Sequence, residues 1–299
     1  MAPRFASNAP MQQTQRTRRA ARRAFTHRRS WLVALPVVVL ALLSLQSLLS
    51  GLWLTSSDSA TTETLPRTAL VLTAHPDDEV MFFAPTILAL VGAGVHVFAL
   101  CLSTGNADGL GSVRHRELVQ AYNALGVPED RVGWLDDRKL QDGMRTVWDP
   151  THVAGRVQRY LDSLGLQIDA LITFDSMGVS SHANHIACHQ ASLLLRDQGT
   201  FDAVYALHSP RLATKYLSLP SSLLGTLLSL PLSQRAVAAH VQPPIDKAIL
   251  PQTIRALSSP SQYRQSLEAM RRHASQLVWF RYVYIVLSQL MYGNLLVLL

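Results

Sequence analysis

The chain has 299 residues, 48% hydrophobic and 16% charged, enough for one domain of moderate size plus apolar segments outside its core. Its net charge of +7 comes from 27 Lys+Arg against 20 Asp+Glu, but eight of the arginines lie between Arg4 and Arg29, where there is no acid, and the rest of the chain holds 19 basic against 20 acidic residues. The basicity thus belongs to a tail, which argues against a nucleic-acid-binding domain, and two cysteines, Cys101 and Cys188, with no C-x-x-C leave no disulfide framework and no cysteine metal site.

Residues 1–30 read as a disordered basic tail, suited to anionic lipid headgroups or to control of topology. Trp31 to Leu54 (WLVALPVVVLALLSLQSLLSGLWL) is uncharged and almost wholly apolar, long enough to cross the roughly 30 Å hydrocarbon core. It predicts a transmembrane helix with Trp31 and Trp53 at the interfaces. A cleaved signal peptide competes with that reading, against the length of the basic and apolar parts. Residues 55–67 form a polar linker, and a domain runs from 68 to 299.

Within that domain Ala69–Ala74 (ALVLTA) reads as a buried strand, followed by a helix from Asp78 to about Leu90. Val95–Leu102 is a second strand, Val113–Leu125 a helix stopped by Gly126, and Arg131–Leu135 a short strand. Thr151–Leu164 reads as helix, Ala170–Phe174 as strand, His182–Arg196 as helix and Ala203–Leu207 as strand. Short apolar strands alternating with helices predict an α/β fold with a mostly parallel sheet covered on both faces. Such sheets build their sites at the carboxyl ends of the strands. Leu217–Leu232 is apolar but broken by prolines. Gln276–Leu299 is rich in aromatics and carries Arg281, Gln289 and Asn294, groups costly inside a bilayer. An interfacial helix, or a core helix flanking the site, is expected there rather than a second span.

Two motifs carry chemistry. His75-Pro76-Asp77-Asp78-Glu79 directly follows a strand, so His75 and Asp78 can turn to one point with Asp77 beside them. An imidazole and a carboxylate are good zinc ligands, and a second carboxylate that does not ligate is what a metal hydrolase needs as general base. An aspartate-rich helix cap would account for the acids but not for the histidine. Ser181-His182-Ala183-Asn184-His185 follows the strand ALITF at a helix start. Its two histidines, three apart, share a face, so one can ligate while the other points at a substrate. Two His and one Asp leave a coordination position open for water, as in catalytic zinc sites.

With these motifs the chain resembles the N-acetylglucosaminyl-phosphatidylinositol de-N-acetylases (PIG-L type), within the LmbE-like zinc deacetylases. The resemblance runs from about Thr68 to Gly293, through TAHPDDEVMFFAPT at 73–86, LSTGNADGLG at 102–111, Arg114 through Glu117, LQDG at 140–143, TFDSMGVSSHANH at 173–185 and SQLVWFRYVYIVLSQLMY at 275–292. Ser181 departs from the Gly expected before the first histidine. The resemblance implies a Rossmann-like, LmbE-like fold and His75, Asp78 and His185 as ligands of Zn2+, or of another divalent metal. It further implies Asp77 as general base, His182 as oxyanion donor or acid to the leaving amine, and Arg114 and Asp142 as substrate-binding residues. The implied reaction hydrolyses the N-acetyl group of a glycolipid, N-acetylglucosaminyl-phosphatidylinositol, an early step of GPI-anchor biosynthesis. The implied location is the endoplasmic reticulum membrane, with the catalytic domain facing the cytosol. A single anchor behind an arginine-rich tail would instead put that domain in the lumen. The competing functions are deacetylation of another N-acetylglucosaminide and a catalytically silent membrane scaffold, which would need neither the carboxylate pair nor the histidine pair. A mitochondrial presequence would require loss of the tail.

Overall fold

The computed structural model describes residues 65–210 and 250–299. The first strand, β1 (Thr68–Thr73), lies third from one edge of a seven-stranded sheet. On one side β1 pairs with β2 (His96–Cys101), which pairs with β3 (Val132–Trp134). On the other side follow β4 (Ala170–Phe174) and β5 (Ala203–Leu207), and all these pairings are parallel. β4 and β5 are buried at every residue, as expected of strands covered on both faces. Beyond β5 lies β7 (Gly293–Leu298), antiparallel to it, and then β6 (Thr253–Leu257), antiparallel to β7. The full order is β3-β2-β1-β4-β5-β7-β6.

Helices connect the strands. After β1 come a single turn, α1 (Asp78–Met81), and then α2 (Ala84–Gly92), entered at Pro85. α3 (Gly111–Ala124) leads to β3, and α4 (Pro150–Leu164) leads to β4. α4 begins where the Asp149 side chain accepts the Thr151 N–H at 3.0 Å, and it ends at Gly165 with φ 61°. α5 (Ala183–Asp197) joins β4 to β5 and packs on α4. α6 (Pro260–Arg272) packs on α3 and α2. Its start is a capping box: Ser259 Oγ accepts from Gln262 N at 3.2 Å, and Gln262 Oε1 accepts from Ser259 N at 2.8 Å. α7 (Trp279–Leu287) precedes β7.

Strand order reverses at β1, with β2 and β3 to one side and β4 and β5 to the other. At such a reversal the connections leave neighbouring strand ends in opposite directions, which opens a crevice. His75–Asp78 follow β1 and His182–His185 follow β4, so both motifs fall at that point.

Three expectations need correction. The sheet is mixed rather than mostly parallel at its far end, because the closing segment supplies an antiparallel strand. Gln276–Leu299 is neither one helix nor a span: α7 has nine residues, a 3-10 turn follows at Gln289–Met291, and β7 completes the sheet. A helix that short rises only about 14 Å. The polar residues of this segment are staples: Asn294 Oδ1 accepts from Thr86 N (3.1 Å) and Thr86 Oγ1 (2.8 Å), while its Nδ2 donates to Phe82 O (2.9 Å). Thirdly, the single-pass anchor is not supported, and with it goes the support for the endoplasmic reticulum membrane location that the resemblance implies. Among the described residues no helix is long and apolar enough to cross a membrane, and the 31–54 segment lies outside the described residues.

Candidate active site

The turn after β1 is wound around Asp78. Its Oδ2 accepts the N–H groups of Ala74 (3.0 Å) and His75 (2.8 Å), which pulls the chain back and aims the carboxylate into the crevice. Asp77 adopts φ 96°, a left-handed conformation that aspartate tolerates better than most residues. The loop after β2 closes against this turn. Ser103 Oγ donates to Ala74 O at 2.8 Å, and Gly105, at φ 63°, comes so near that a Cβ there would meet Pro76 Cδ at 3.1 Å.

The turn after β4 is held from outside. Asp175 accepts from Met177 N, Gly178 N, Ser209 N and Ser209 Oγ at 2.6–3.1 Å, and Ser209 Oγ accepts from Val179 N at 2.9 Å. Between these anchors Val179 and Ser181 take positive φ (60° and 58°). The Ser181 value accounts for the Gly expected there: the position asks for a left-handed residue. Gly178 is also left-handed, and a Cβ would press on His185 Cβ at 3.1 Å. Its carbonyl is 3.1 Å from His185 Nδ1.

These turns bring His75, Asp78 and His185 together, all buried, with ligand atoms within 4.8 Å of one another. Asp78 Oδ2 lies 3.6 Å from His75 Nδ1, and Oδ1 lies 3.3 Å from His185 Nε2. Hydrogen bonds fix both rings. His185 donates from Nδ1 to Gly178 O and stacks on Phe174 at 3.9 Å between centroids, which leaves Nε2 as a lone pair. That Nε2 is buried and has no hydrogen-bond partner. His75 Nε2 is 2.9 Å from Asn184 Oδ1. Asn184 is itself oriented, because Oδ1 also accepts from Gly143 N (3.2 Å) and Nδ2 donates to Thr146 O (2.6 Å). In its neutral form the His75 ring therefore keeps its proton on Nε2, with the Nδ1 lone pair facing Asp78. Two imidazole lone pairs and one carboxylate converging on a buried point are the donor set of a divalent metal.

Charge agrees with that fit. Burial works against a charged His75, yet Asp78, Asp142 and Asn184 outweigh it and hold the ring up at about 9, so the pocket favours positive charge at this point. Burial likewise opposes the Asp78 carboxylate, but His185 and His75 keep it well below the usual range.

Around this cluster the other expected residues fall as follows. Asp142 Oδ1 is 3.1 Å from His75 Nε2, and its loop is pinned by the fully buried Trp148, whose Nε1 donates to Gln141 O at 2.9 Å. His182 caps α5, its Nδ1 accepting from Asn184 N at 3.3 Å, so the neutral ring carries its proton on Nε2. Burial, and then the neighbouring His75 and His185, lower His182 to about 4. His75, Asp142 and His182 also bring ligand atoms within 4.8 Å. Asp77 is buried on the same turn as Asp78, with Oδ2 2.6 Å from Arg281 Nη2. Arg114 stands apart: it braces the loop after β2 through Gly105 O and through Asp108 Oδ2 at 2.5 Å.

Sequence reasoning missed Asn184, Arg281 and the buried pair of His273 with Glu79. Asn184 lay inside the His-x-x-His motif and could have been read as the partner that orients a ligand. Arg281 was noticed only as a costly charge in an apolar segment.

The family model for PIG-L, GlcNAc-PI de-N-acetylase, matches residues 70–195. A probable N-acetylglucosaminyl-phosphatidylinositol de-N-acetylase of Schizosaccharomyces pombe is 39% identical over 228 residues, covering 76% of this chain and 85% of the relative. The N-acetylglucosaminyl-phosphatidylinositol de-N-acetylase of Bos taurus is 35% identical over 228 residues, covering 75% and 81%. Among solved structures, a deacetylase of teicoplanin biosynthesis aligns with a TM-score of 0.49 at 16% identity, over 77% of this chain and 97% of that one.

Proposed function

This chain belongs to the PIG-L family of GlcNAc-PI de-N-acetylases, and from that membership we propose that it hydrolyses the N-acetyl group of N-acetylglucosaminyl-phosphatidylinositol, releasing acetate and a free glucosamine amine. The observation that carries the proposal is the His75–Asp78–His185 cluster, with a buried His185 Nε2 aimed at Asp78 and satisfied by no protein group. These three residues would hold Zn2+, which when bound supplies a water of lowered pKa and a Lewis acid for the amide carbonyl.

The remaining work falls to side chains around the cluster. Asp77 is the general base, taking a proton from the attacking water. His182, neutral and protonated on Nε2, donates a hydrogen bond where negative charge develops on the acetyl oxygen. The lowered His182 value favours this role over that of an acid charged before the reaction. The proton held by Asp77 then goes to the departing amine. Asp142, close to His75 and partly open to solvent, takes the role of binding a sugar hydroxyl in this reading. Arg114, occupied by Asp108 and Gly105, has a bracing role that precedes any contact with substrate.

The test is acetate release from N-acetylglucosaminyl-phosphatidylinositol by purified full-length protein, with and without a chelator. Release should vanish on chelation, return with zinc and be absent in His75→Ala. Metal-loaded, folded protein that released no acetate from this lipid, yet did so from another N-acetylglucosaminide, would move the substrate and keep the chemistry. Asp77→Asn is expected to retain the metal and to lose about 10²–10⁴-fold in kcat. Equal loss of metal and activity would remove Asp77 from the role of base.

A further inference from the structure

The segment from His273 to Tyr284 folds back over the turn that carries the site's carboxylates. His273 Nε2 meets Glu79 Oε1, both side chains fully buried. Ser275 donates from its N (2.9 Å) and its Oγ (2.5 Å) to Glu117. Gln276 Nε2 donates to Pro76 O at 2.5 Å, and Tyr284 OH to Met81 O at 2.9 Å. Arg281, one turn before Tyr284 on α7, reaches Asp77 Oδ2 at 2.6 Å. Every residue from Pro76 to Met81 except Asp78 and Val80 is thereby touched by this one segment.

Asp77 needs such a partner. Three consecutive carboxylates, Asp77, Asp78 and Glu79, are buried side by side, and like charges at that spacing push one another apart. Asp78 is held by two backbone N–H groups and two histidines, and Glu79 by His273 and the Asp77 N–H at 3.1 Å. Arg281 is what the fold brings to Asp77. The contact is a close ion pair of one guanidinium nitrogen with one carboxylate oxygen, without hydrogen-bond geometry, so it holds Oδ2 in place through charge and proximity.

We propose that Arg281 is the positioning residue of the reaction: its charge against Asp77 Oδ2 holds that oxygen in place and leaves Oδ1 as the oxygen that receives the proton. This rests on the reading of Asp77 as general base. Arg281 does not itself touch the reacting atoms, and the cost of its loss is the cost of a base that wanders, about 10²-fold for a displacement near 1 Å.

The experiment is a double-mutant cycle on the full chain with Arg281→Met, Asp77→Asn and the double variant, read as kcat, KM and bound metal per chain. R281M should lower kcat about 10²-fold with KM and metal content unchanged, and R281K should recover part of the loss. On the D77N background R281M should cost nothing more, since residues acting as one unit are not additive. Losses that multiply, or a rise in KM alone, as for an anion ligand of the substrate, would overturn the proposal, as would wild-type kcat in R281M. If R281M does not fold, R281K runs the same cycle, and its loss must likewise disappear on the D77N background. Full activity of D77N would bring down the base assignment and this proposal together, whereas an inactive D77N beside a fully active R281M would bring down this proposal alone.

Discussion

At the scale of single residues the site is made by what holds its ligands. Asn184 locks His75 in the tautomer that offers Nδ1 to a metal. Asn184→Ala is expected to weaken metal binding about 10–100-fold, as removal of such a partner does elsewhere, and a metal-competition titration reads it directly. Ser181 carries a left-handed backbone cost, and among the described residues no hydrogen bond from its side chain offsets it. Ser181→Gly should raise stability by up to about 1 kcal/mol, the left-handed penalty less the added freedom of the unfolded chain, measured as a higher urea midpoint. With Asp77 as the proposed base, its ionisation sets the acid side of the pH profile. Burial lifts its carboxyl, Arg281 pulls it back, and the balance leaves it at about 6. Only the ionised form accepts a proton, so kcat/KM is expected to fall as pH drops through about 6; a profile flat down to pH 4 would mean that another group is the base.

At the scale of elements, the strands and helices from β1 to β5 were legible in the sequence, because apolar runs and helical periodicity speak locally. β4 and β5 match residue for residue. The helix expected from Asp78 to Leu90 is broken at Phe82–Phe83, since the turn around Asp78 must finish before α2 can begin. The metal cluster was legible too, as two motifs behind two strands. The two strands of the far sheet edge were not. β6 alternates exposed and buried residues over only five positions, and β7 follows an aromatic helix that biases the whole stretch toward a longer apolar segment. Asn294 shows what pattern alone cannot give: its partners Thr86 and Phe82 lie more than 200 residues away. Asn294→Leu should leave the Thr86 N–H and hydroxyl without the acceptor that holds them, at about 1–3 kcal/mol each. The urea midpoint should drop with an unchanged slope.

At the scale of the whole molecule, the chain builds the turn that carries the candidate site from early residues and braces it with late ones. His273 to Glu79, Gln276 to Pro76 and Tyr284 to Met81 span 194, 200 and 203 residues. Closing loops of that length is the slow part of folding, because their entropy is lost before any contact repays it. The parallel core around β1 can collect itself from nearer neighbours, yet the carboxylates remain unbraced until α7 and β7 dock. In refolding from urea, recovery of deacetylase activity should therefore lag behind the return of helical circular dichroism; simultaneous recovery would mean that the strap forms with the core. A protein built this way has a checkpoint in time: a chain that has acquired most of its shape still lacks its chemistry, and amide bonds nearby are safe from it until the last segment is in place.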